Sequence, residues 1–194
     1  MPRPDRRNER RAELLPIVAA AFAELGYRRT STAELAARCD VRENILYRLW
    51  PDKQAMFVAS IEHVFECSLQ TWETQLGKAT DKRSAARRLL RYEAEHLGEH
   101  GLYRILFAGL GETDDQQIMS ALAETYGRFV AFIRGHVAAH RGKPPRGGGV
   151  SVDRAVWAIL GLGTIANIGR ELDLLDDNQR GKLLSEMGDL ILDG

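Results

Sequence analysis

Apolar residues recur at helical intervals along almost the whole chain, and this periodicity constrains the fold more than any other feature. Leu14, Val18, Phe22 and Leu25 are spaced by three or four residues, as on the buried face of an amphipathic helix. No stretch of useful length alternates apolar and polar residues as a half-buried strand does. Since 44% of the 194 residues are hydrophobic, the chain can build a substantial core. The sequence therefore predicts an all-α protein of one or two domains.

Capping signals divide the first third of the chain into four helices. The first helix ends near residue 25, because Gly26 can adopt the left-handed conformation of a C-cap. Pro16 lies inside this pattern and has no backbone N–H, so the regular helix either begins just before Pro16 or is kinked there. Ser31-Thr32-Ala33-Glu34 matches a capping box, and Asp52 is placed to cap a long helix. The remaining predicted helices span about 32–39, 42–50, 52–77, 82–99, 101–110, 114–141, 151–174 and 176–192, with a Gly- and Pro-rich loop over 142–149.

Composition excludes several classes of protein. Cys39 and Cys67 lie far apart and form no CxxC pair, which argues against a disulfide framework and a cysteine-based zinc module. No signal peptide and no apolar run approaching about 20 residues is present, so a cytoplasmic protein without a membrane partner is predicted. No catalytic or nucleotide-binding motif appears either. We therefore expect neither an enzyme nor a bound cofactor.

Basic residues are concentrated at the N-terminus although the net charge of the chain is zero. Residues 1–60 contain eleven Lys or Arg and eight Asp or Glu, a net charge of +3. Five of these arginines lie within the first eleven positions: Arg3, Arg6, Arg7, Arg10 and Arg11. This segment is either a basic arm that contacts a polyanion or a solvated tail.

The segment from Thr30 to Trp50 has the pattern of a helix-turn-helix motif. Its apolar residues would pack two short helices together; they are Leu35, Ala36, Val41, Leu46 and Trp50. At about 100° per residue, the second of these helices places Leu46, Leu49 and Trp50 on one side. Asn44, Tyr47 and Arg48 lie nearly opposite. Asn can pair with adenine, Arg with guanine, and Tyr can donate to phosphate, so this face is suited to reading DNA.

At this point the chain resembles the TetR family of bacterial transcriptional repressors over roughly residues 12–60. The resemblance rests on Leu14-Leu15, Ala19, Phe22, Gly26-Tyr27, Thr30-Ser31, Leu35-Ala36, Val41, Leu46-Tyr47, Trp50-Pro51 and Lys53. It implies a helix-turn-helix DNA-binding domain with a basic arm over 1–51 and a helical regulatory domain over 52–194. By resemblance, Thr32, Tyr47 and Lys53 contact phosphates. Residues 42–48 face the bases, and the candidates among them are Arg42, Glu43, Asn44, Ile45 and Arg48.

The motif departs from the family pattern in three places. Cys39-Asp40 stands in the turn where the family usually has Ala-Gly, but Asp tolerates left-handed geometry. Arg42 stands where a small hydroxyl residue usually caps the recognition helix, and Ile45 replaces a small polar residue that would face the bases. Glu43 would repel phosphate unless it accepts from a cytosine amino group or pairs with Arg42. An unusual operator sequence is therefore expected.

The resemblance also implies an effector cavity in the C-terminal domain, and the apolar pattern of the last two helices predicts a homodimer. A small, largely apolar molecule would bind the C-terminal domain and release a palindromic operator from the repressor. Aromatic residues on the middle helices are candidates for the cavity lining: Tyr103, Phe107, Tyr126, Phe129 and Trp157. The helix over 151–170 is apolar around much of its circumference, and the helix over 176–192 carries a matching apolar stripe. These two helices are therefore expected to form the dimer surface. Burial within a monomer would give the same pattern.

Three other interpretations remain open at this stage. One alternative is a small helical metalloenzyme. Two histidine pairs have i,i+4 spacing, His96/His100 and His136/His140, and Glu93 or Glu99 could add a third ligand. Histidines on a surface or in a pocket are commoner than metal ligands. A helical adaptor that keeps the fold without binding DNA is another. Cys39 could sense redox state, but a small apolar core residue is the simpler interpretation. Metal stoichiometry and salt-dependent binding to duplex DNA would separate the first two alternatives from a repressor.

Overall fold

The fold was obtained as a computed structural model that describes residues 6–77, 82–98, 101–142 and 149–193. Within these residues the chain forms nine helices and no strand, so the predicted all-α class is confirmed. The helices are α1 (Arg6–Leu25), α2 (Thr32–Arg38), α3 (Glu43–Leu49), α4 (Lys53–Leu76), α5 (Lys82–His96), α6 (Tyr103–Leu110), α7 (Gln116–Arg141), α8 (Val152–Glu171) and α9 (Asp177–Asp193). Most of the predicted 142–149 loop lies outside the described residues.

Local capping chemistry explains three helix ends in and around the helix-turn-helix segment. Gly26 terminates α1 with φ of +75°, a conformation that costs glycine little. The Ser31 hydroxyl accepts from the Glu34 backbone N–H at 3.1 Å, whereas the Glu34 carboxylate accepts from Arg38, so half of the capping box is formed. Asp52 accepts from the Ala55 backbone N–H at 2.7 Å and caps α4 as predicted.

Helix α1 differs from its prediction at the N-terminal end. It begins at Arg6 and continues through Pro16, so a helix that begins just before Pro16 is wrong. Burial on both sides of the proline explains this, since Leu14 is 2% and Val18 0% exposed. The first turns of α1 also include four of the N-terminal arginines, of which Arg6 and Arg7 are exposed to solvent. Whether they contact a polyanion stays a prediction. Arg3 lies outside the described residues.

The packing divides the chain into two units. Unit 1 comprises the described residues within 1–67 and 100–126, and unit 2 those within 68–99 and 127–194. Helices α4 and α7 supply residues to both units. The predicted functional boundary after residue 51 stays a prediction, because these units describe packing and not where DNA reading ends.

Each unit has its own core. In unit 1 the Phe22 and Phe57 rings meet edge to face at 5.0 Å, and Tyr27 lies 4.7 Å from Phe57. The core of unit 2 joins α5, α7, α8 and α9 through Ala86, Val137, Ala155, Val156 and Leu192. Among the described residues, no helix is both long and apolar enough to cross a membrane.

Candidate nucleic-acid interface

The turn between α2 and α3 forms despite its unusual sequence. Asp40 adopts the left-handed conformation with φ of +50°, which Asp tolerates better than most residues. The Val41 backbone N–H donates to the Ala36 carbonyl at 3.0 Å and closes the turn. Cys39 is 6% exposed, and burial raises the pKa of its thiol. A protonated, buried thiol fits the interpretation of Cys39 as a small apolar core residue.

Helix α3 presents the predicted division of faces. Leu46, Leu49 and Trp50 are buried, at 0%, 6% and 1% exposure. Arg42 precedes the helix and makes no side-chain cap, as expected. Ile45 is partly buried. The polar candidates on the outer side are all exposed; they are Arg42, Glu43, Asn44, Tyr47 and Arg48. The side chains that could read DNA therefore project from a helix whose opposite face is fixed in the core.

Three of the predicted DNA contacts bond to one another across α2 and α3. The Tyr47 hydroxyl donates to Thr32 Oγ1 at 3.2 Å, and Thr32 Oγ1 donates to Glu43 Oε2 at 2.8 Å. The Glu43 carboxylate thus accepts from a hydroxyl that was predicted to contact phosphate. A phosphate oxygen and the Glu43 carboxylate would be acceptors for the same donor, so phosphate binding requires this donor to turn away from Glu43.

Glu43→Gln tests whether this carboxylate opposes DNA binding. The amide keeps an oxygen that can accept from Thr32 but removes the negative charge. We expect affinity for all duplexes to rise about twofold to fivefold, because exposed charge pairs contribute roughly 0.2–1 kcal/mol. Fluorescence anisotropy with operator and unrelated duplexes measures this. Glu62→Gln, an exposed residue of α4, serves as the control. A loss of affinity confined to one base pair would instead mean that Glu43 reads cytosine.

Lys53 has an intramolecular role that its sequence position did not reveal. Its Nζ donates to the backbone carbonyls of Tyr27 and Thr30, both at 3.1 Å. The same ammonium lies 4.4 Å from the centre of the Tyr27 ring, within the range of a cation–π contact. An ammonium has three donors, so one remains for the predicted phosphate contact.

Arg48 and Asn44 are the exposed side chains best suited to base reading. Loss of a bidentate contact costs about 1–3 kcal/mol at the base it recognises. We therefore expect Arg48→Ala and Asn44→Ala to lower operator affinity about 5- to 150-fold and to relax preference at one base pair each. Arg48→Lys is the matched control, because it keeps the charge and loses the planar fork. Binding to operators substituted at each base pair measures the preference; retained preference in Arg48→Lys would contradict bidentate reading.

The predicted effector residues lie in different environments. In unit 1, the Tyr103 and Phe107 rings meet at 5.6 Å, and burial raises the pKa of Tyr126. In unit 2, Phe129 is buried against Trp72 at 5.7 Å, whereas Trp157 is 61% exposed on α8. Their assignment to one cavity stays a prediction. The sequence analysis assigned no role to Trp72, whose indole donates to Glu93 at 2.6 Å. Burial raises the pKa of the Glu93 carboxyl.

A basic pocket in unit 2 was also missed. It has a volume of about 320 Å³. Its lining comes from the end of α4 and from α5: Gln75, Arg87, Arg88, Arg91, Tyr92 and Glu95. Three arginines within five positions of a predicted helix were the available signal, but a solvated helix face has the same composition.

The described histidines of the two pairs do not belong to a group of side chains that could bind a metal ion. His140 Nε2 lies 3.1 Å from Asp193 Oδ1, and His96 Nδ1 lies 2.9 Å from the Tyr92 carbonyl. His100 and Glu99 lie outside the described residues. Among the described ones, no group of three or more His, Cys, Asp or Glu side chains could hold a metal ion.

Comparison with known proteins identifies relatives of the segment that contains α2 and α3. Residues 18–60 match the family model of the bacterial regulatory proteins of the tetR family. The nucleoid occlusion factor SlmA of Haemophilus influenzae is 28% identical over 123 residues, which are 62% of this chain and 56% of that protein. The chain thus matches little more than half the length of this relative.

Solved structures share the fold over nearly the whole chain. A putative TetR-family transcriptional regulator from Rhodococcus sp. superposes with a TM-score of 0.79 at 17% identity, covering 95% of this chain and 99% of that one. FadR from Bacillus subtilis, in complex with stearoyl-CoA, gives a TM-score of 0.74 at 13% identity, covering 94% and 98%.

Proposed function

We propose that the chain is a homodimeric repressor of the tetR family of bacterial regulatory proteins, whose family model matches residues 18–60. In this proposal it is not an enzyme, and a small molecule releases it from a palindromic operator. The observation that carries the DNA-binding part is the exposed polar face of α3 opposite Leu46, Leu49 and Trp50. Four arginines of the first α1 turns, Arg6 to Arg11, support it, because they add positive charge to the same unit.

Binding to duplex DNA tests this function directly. Fragments from beside the protein's own gene are titrated at several salt concentrations, with unrelated duplexes of equal length as the control. We expect sequence-specific affinity at least 10³-fold above the unrelated duplexes, with a steep fall as salt rises. Equal affinity for all duplexes would contradict the repressor and favour the adaptor.

Exposed apolar residues support a homodimer through α8 and α9. Of the α8 residues predicted for the interface, Val156 is buried at 0% exposure, whereas Ile165 and Ile168 are 55% and 37% exposed. The outer apolar set spans both helices and the turn after α8: Trp157, Ile165, Ile168, Leu172, Met187 and Leu190. A second copy that covers this set would remove a large apolar surface from water. Two-fold symmetry would then set two α3 helices one DNA turn apart, roughly 34–36 Å, or at a multiple of it.

Helices α4 and α7 are the elements that we propose to couple DNA reading to an effector. Gln54, near the start of α4, bonds to Asp115, which caps α7 through the Ile118 backbone N–H at 3.2 Å. Arg28 also bonds to Glu112 at 2.7 Å in the turn before α7. Because α4 and α7 continue into unit 2, we propose that a shift of either helix there is transmitted through these two bonds to the start of α4, which follows α3 in the chain, and to the segment between α1 and α2.

We expect the coupling between effector and operator to be reciprocal. Fatty acids and acyl-CoA esters are the first compounds to screen for release of operator, because the structural relative FadR was crystallised with stearoyl-CoA. A releasing compound should weaken operator binding about 5- to 150-fold, the usual range of such coupling. Calorimetry should then show that operator weakens binding of the compound by the same factor. Equal affinities with and without operator would contradict this mechanism.

A further inference from the structure

The basic pocket of unit 2 contains positive charge that its surroundings do not balance. Arg87 is neutralised locally, since its guanidinium lies 2.6 Å from Asp193 and 3.7 Å from Asp189. Neither Arg88 nor Arg91 forms an ion pair with an acidic residue in the part of the chain that the structure describes. The pocket has one carboxylate in its lining, that of Glu95. Two guanidinium groups therefore face a cavity with too few acceptors.

Arg88 carries the clearest sign of a missing partner. Its Nε is buried and has no hydrogen-bond partner among the described residues. A buried donor of a charged group that bonds to neither protein nor water destabilises the protein. The Arg88 guanidinium lies in the wall of the pocket with Gln75, whose amide is a further potential donor.

We propose that this pocket binds the anionic group, phosphate or carboxylate, of a small molecule, with Arg88 and Arg91 as its charged ligands. A guanidinium presents donors in a planar fork that matches either anion. The pocket volume of about 320 Å³ suits a small ligand or the polar end of a larger one. The effector expected from sequence was largely apolar; this pocket adds an anionic end. Only that link to the effector rests on the proposed function, because anion binding needs no DNA.

Thermal unfolding at constant ionic strength tests the pocket without DNA. The probes are inorganic phosphate and octanoate, and sodium chloride is the reference salt. We expect at least one probe to raise Tm in a saturable way relative to chloride, because a ligand that binds only the folded state stabilises it. Saturation by phosphate alone assigns a phosphoryl ligand and saturation by octanoate alone assigns a carboxylate. No rise with either probe would overturn the proposal.

Arg88→Met and Arg91→Gln locate the binding. Both should weaken the probe's apparent affinity about tenfold or more, since each removes charge-assisted hydrogen bonds. Without probe, Arg88→Met should have an unchanged or higher Tm, because an unpartnered buried donor is replaced by an unbranched apolar chain. Arg91 is exposed, so Arg91→Gln keeps the test decisive if Arg88→Met folds poorly. Arg154→Met, an exposed residue of α8, is the control and should leave probe affinity unchanged.

The outcomes separate this pocket from the DNA-binding function. If the wild-type protein binds operator but Arg88→Met and Arg91→Gln respond to the probes as the wild type does, the anion pocket is wrong and the repressor stands. If probe binding is lost in both variants while the wild-type protein binds no duplex specifically, the pocket stands and the repressor is wrong.

Discussion

Replacing Ile165 and Leu190 together by glutamate is expected to convert the protein to a monomer and to lower operator affinity about 10²- to 10⁴-fold. These side chains are 55% and 67% exposed on α8 and α9. Buried in a homodimer, each glutamate would need to lose its hydration without a partner. A monomer binds one half-site, so it loses the gain from linking two reading heads.

Sedimentation velocity and fluorescence anisotropy together measure this effect. The double variant should sediment as a monomer, bind operator weakly and still unfold in one cooperative transition, because neither side chain is in the core. The matched control is Leu110→Glu with Met119→Glu, since these apolar residues are 53% and 40% exposed but lie on α6 and α7. A variant that remains dimeric, or a wild-type protein that is monomeric at micromolar concentration, would contradict the interface.

Sequence determined those features whose chemistry is local. The C-cap at Gly26, the N-cap at Ser31 and the cap at Asp52 each involve residues within a few positions of one another, so the helix ends near them were predicted closely. The continuation of α1 through Pro16 was not predicted. Proline removes one backbone hydrogen bond, and only the tertiary structure shows that burial of the neighbouring residues compensates for this loss.

When a helix is apolar on most sides, its sequence does not show which side packs against the core. Val156 and Ile165 are both apolar residues of α8, yet one is 0% and the other 55% exposed. Trp157 likewise belonged to the predicted effector lining but lies on the exposed side. Periodicity gives a residue's angle around the helix, and only the packing against α5, α7 and α9 decides which angle faces inward.

The proposed DNA-reading surface was predicted from sequence as one face of a helix, but the hydrogen bonds within it were not predicted. The period of α3 placed Asn44, Tyr47 and Arg48 opposite the core, as the structure has them. The bond between Thr32 and Glu43 joins residues eleven positions apart on two helices, so their approach depends on how the turn at Asp40 sets α2 against α3. The same holds for Lys53, whose backbone acceptors lie 23 and 26 residues earlier.

Lys53→Met is expected to lower the free energy of unfolding by about 2–4 kcal/mol, because hydrogen bonds to charged groups contribute roughly 1.5–3 kcal/mol each and overlap in one ammonium. The ammonium holds the carbonyls of Tyr27 and Thr30, and Thr30 is only 1% exposed, so water cannot fully replace the lost donor. Methionine keeps the unbranched aliphatic chain, so the change measures the effect of removing the ammonium group. Urea unfolding measures the change, with Lys182→Met on exposed α9 surface as the control.

Duplex binding by the same variant separates the two roles of Lys53. At a temperature where Lys53→Met remains folded, loss of a phosphate contact should weaken all sequences alike and reduce the slope of log affinity against log salt by about one. An unchanged slope with lowered stability would mean that Lys53 only holds the segment between α1 and α2. Unchanged stability with a reduced slope would mean that the carbonyl contacts contribute little, and a shift in base preference would contradict both roles. The two measurements therefore decide whether the remaining donor of this ammonium reaches DNA.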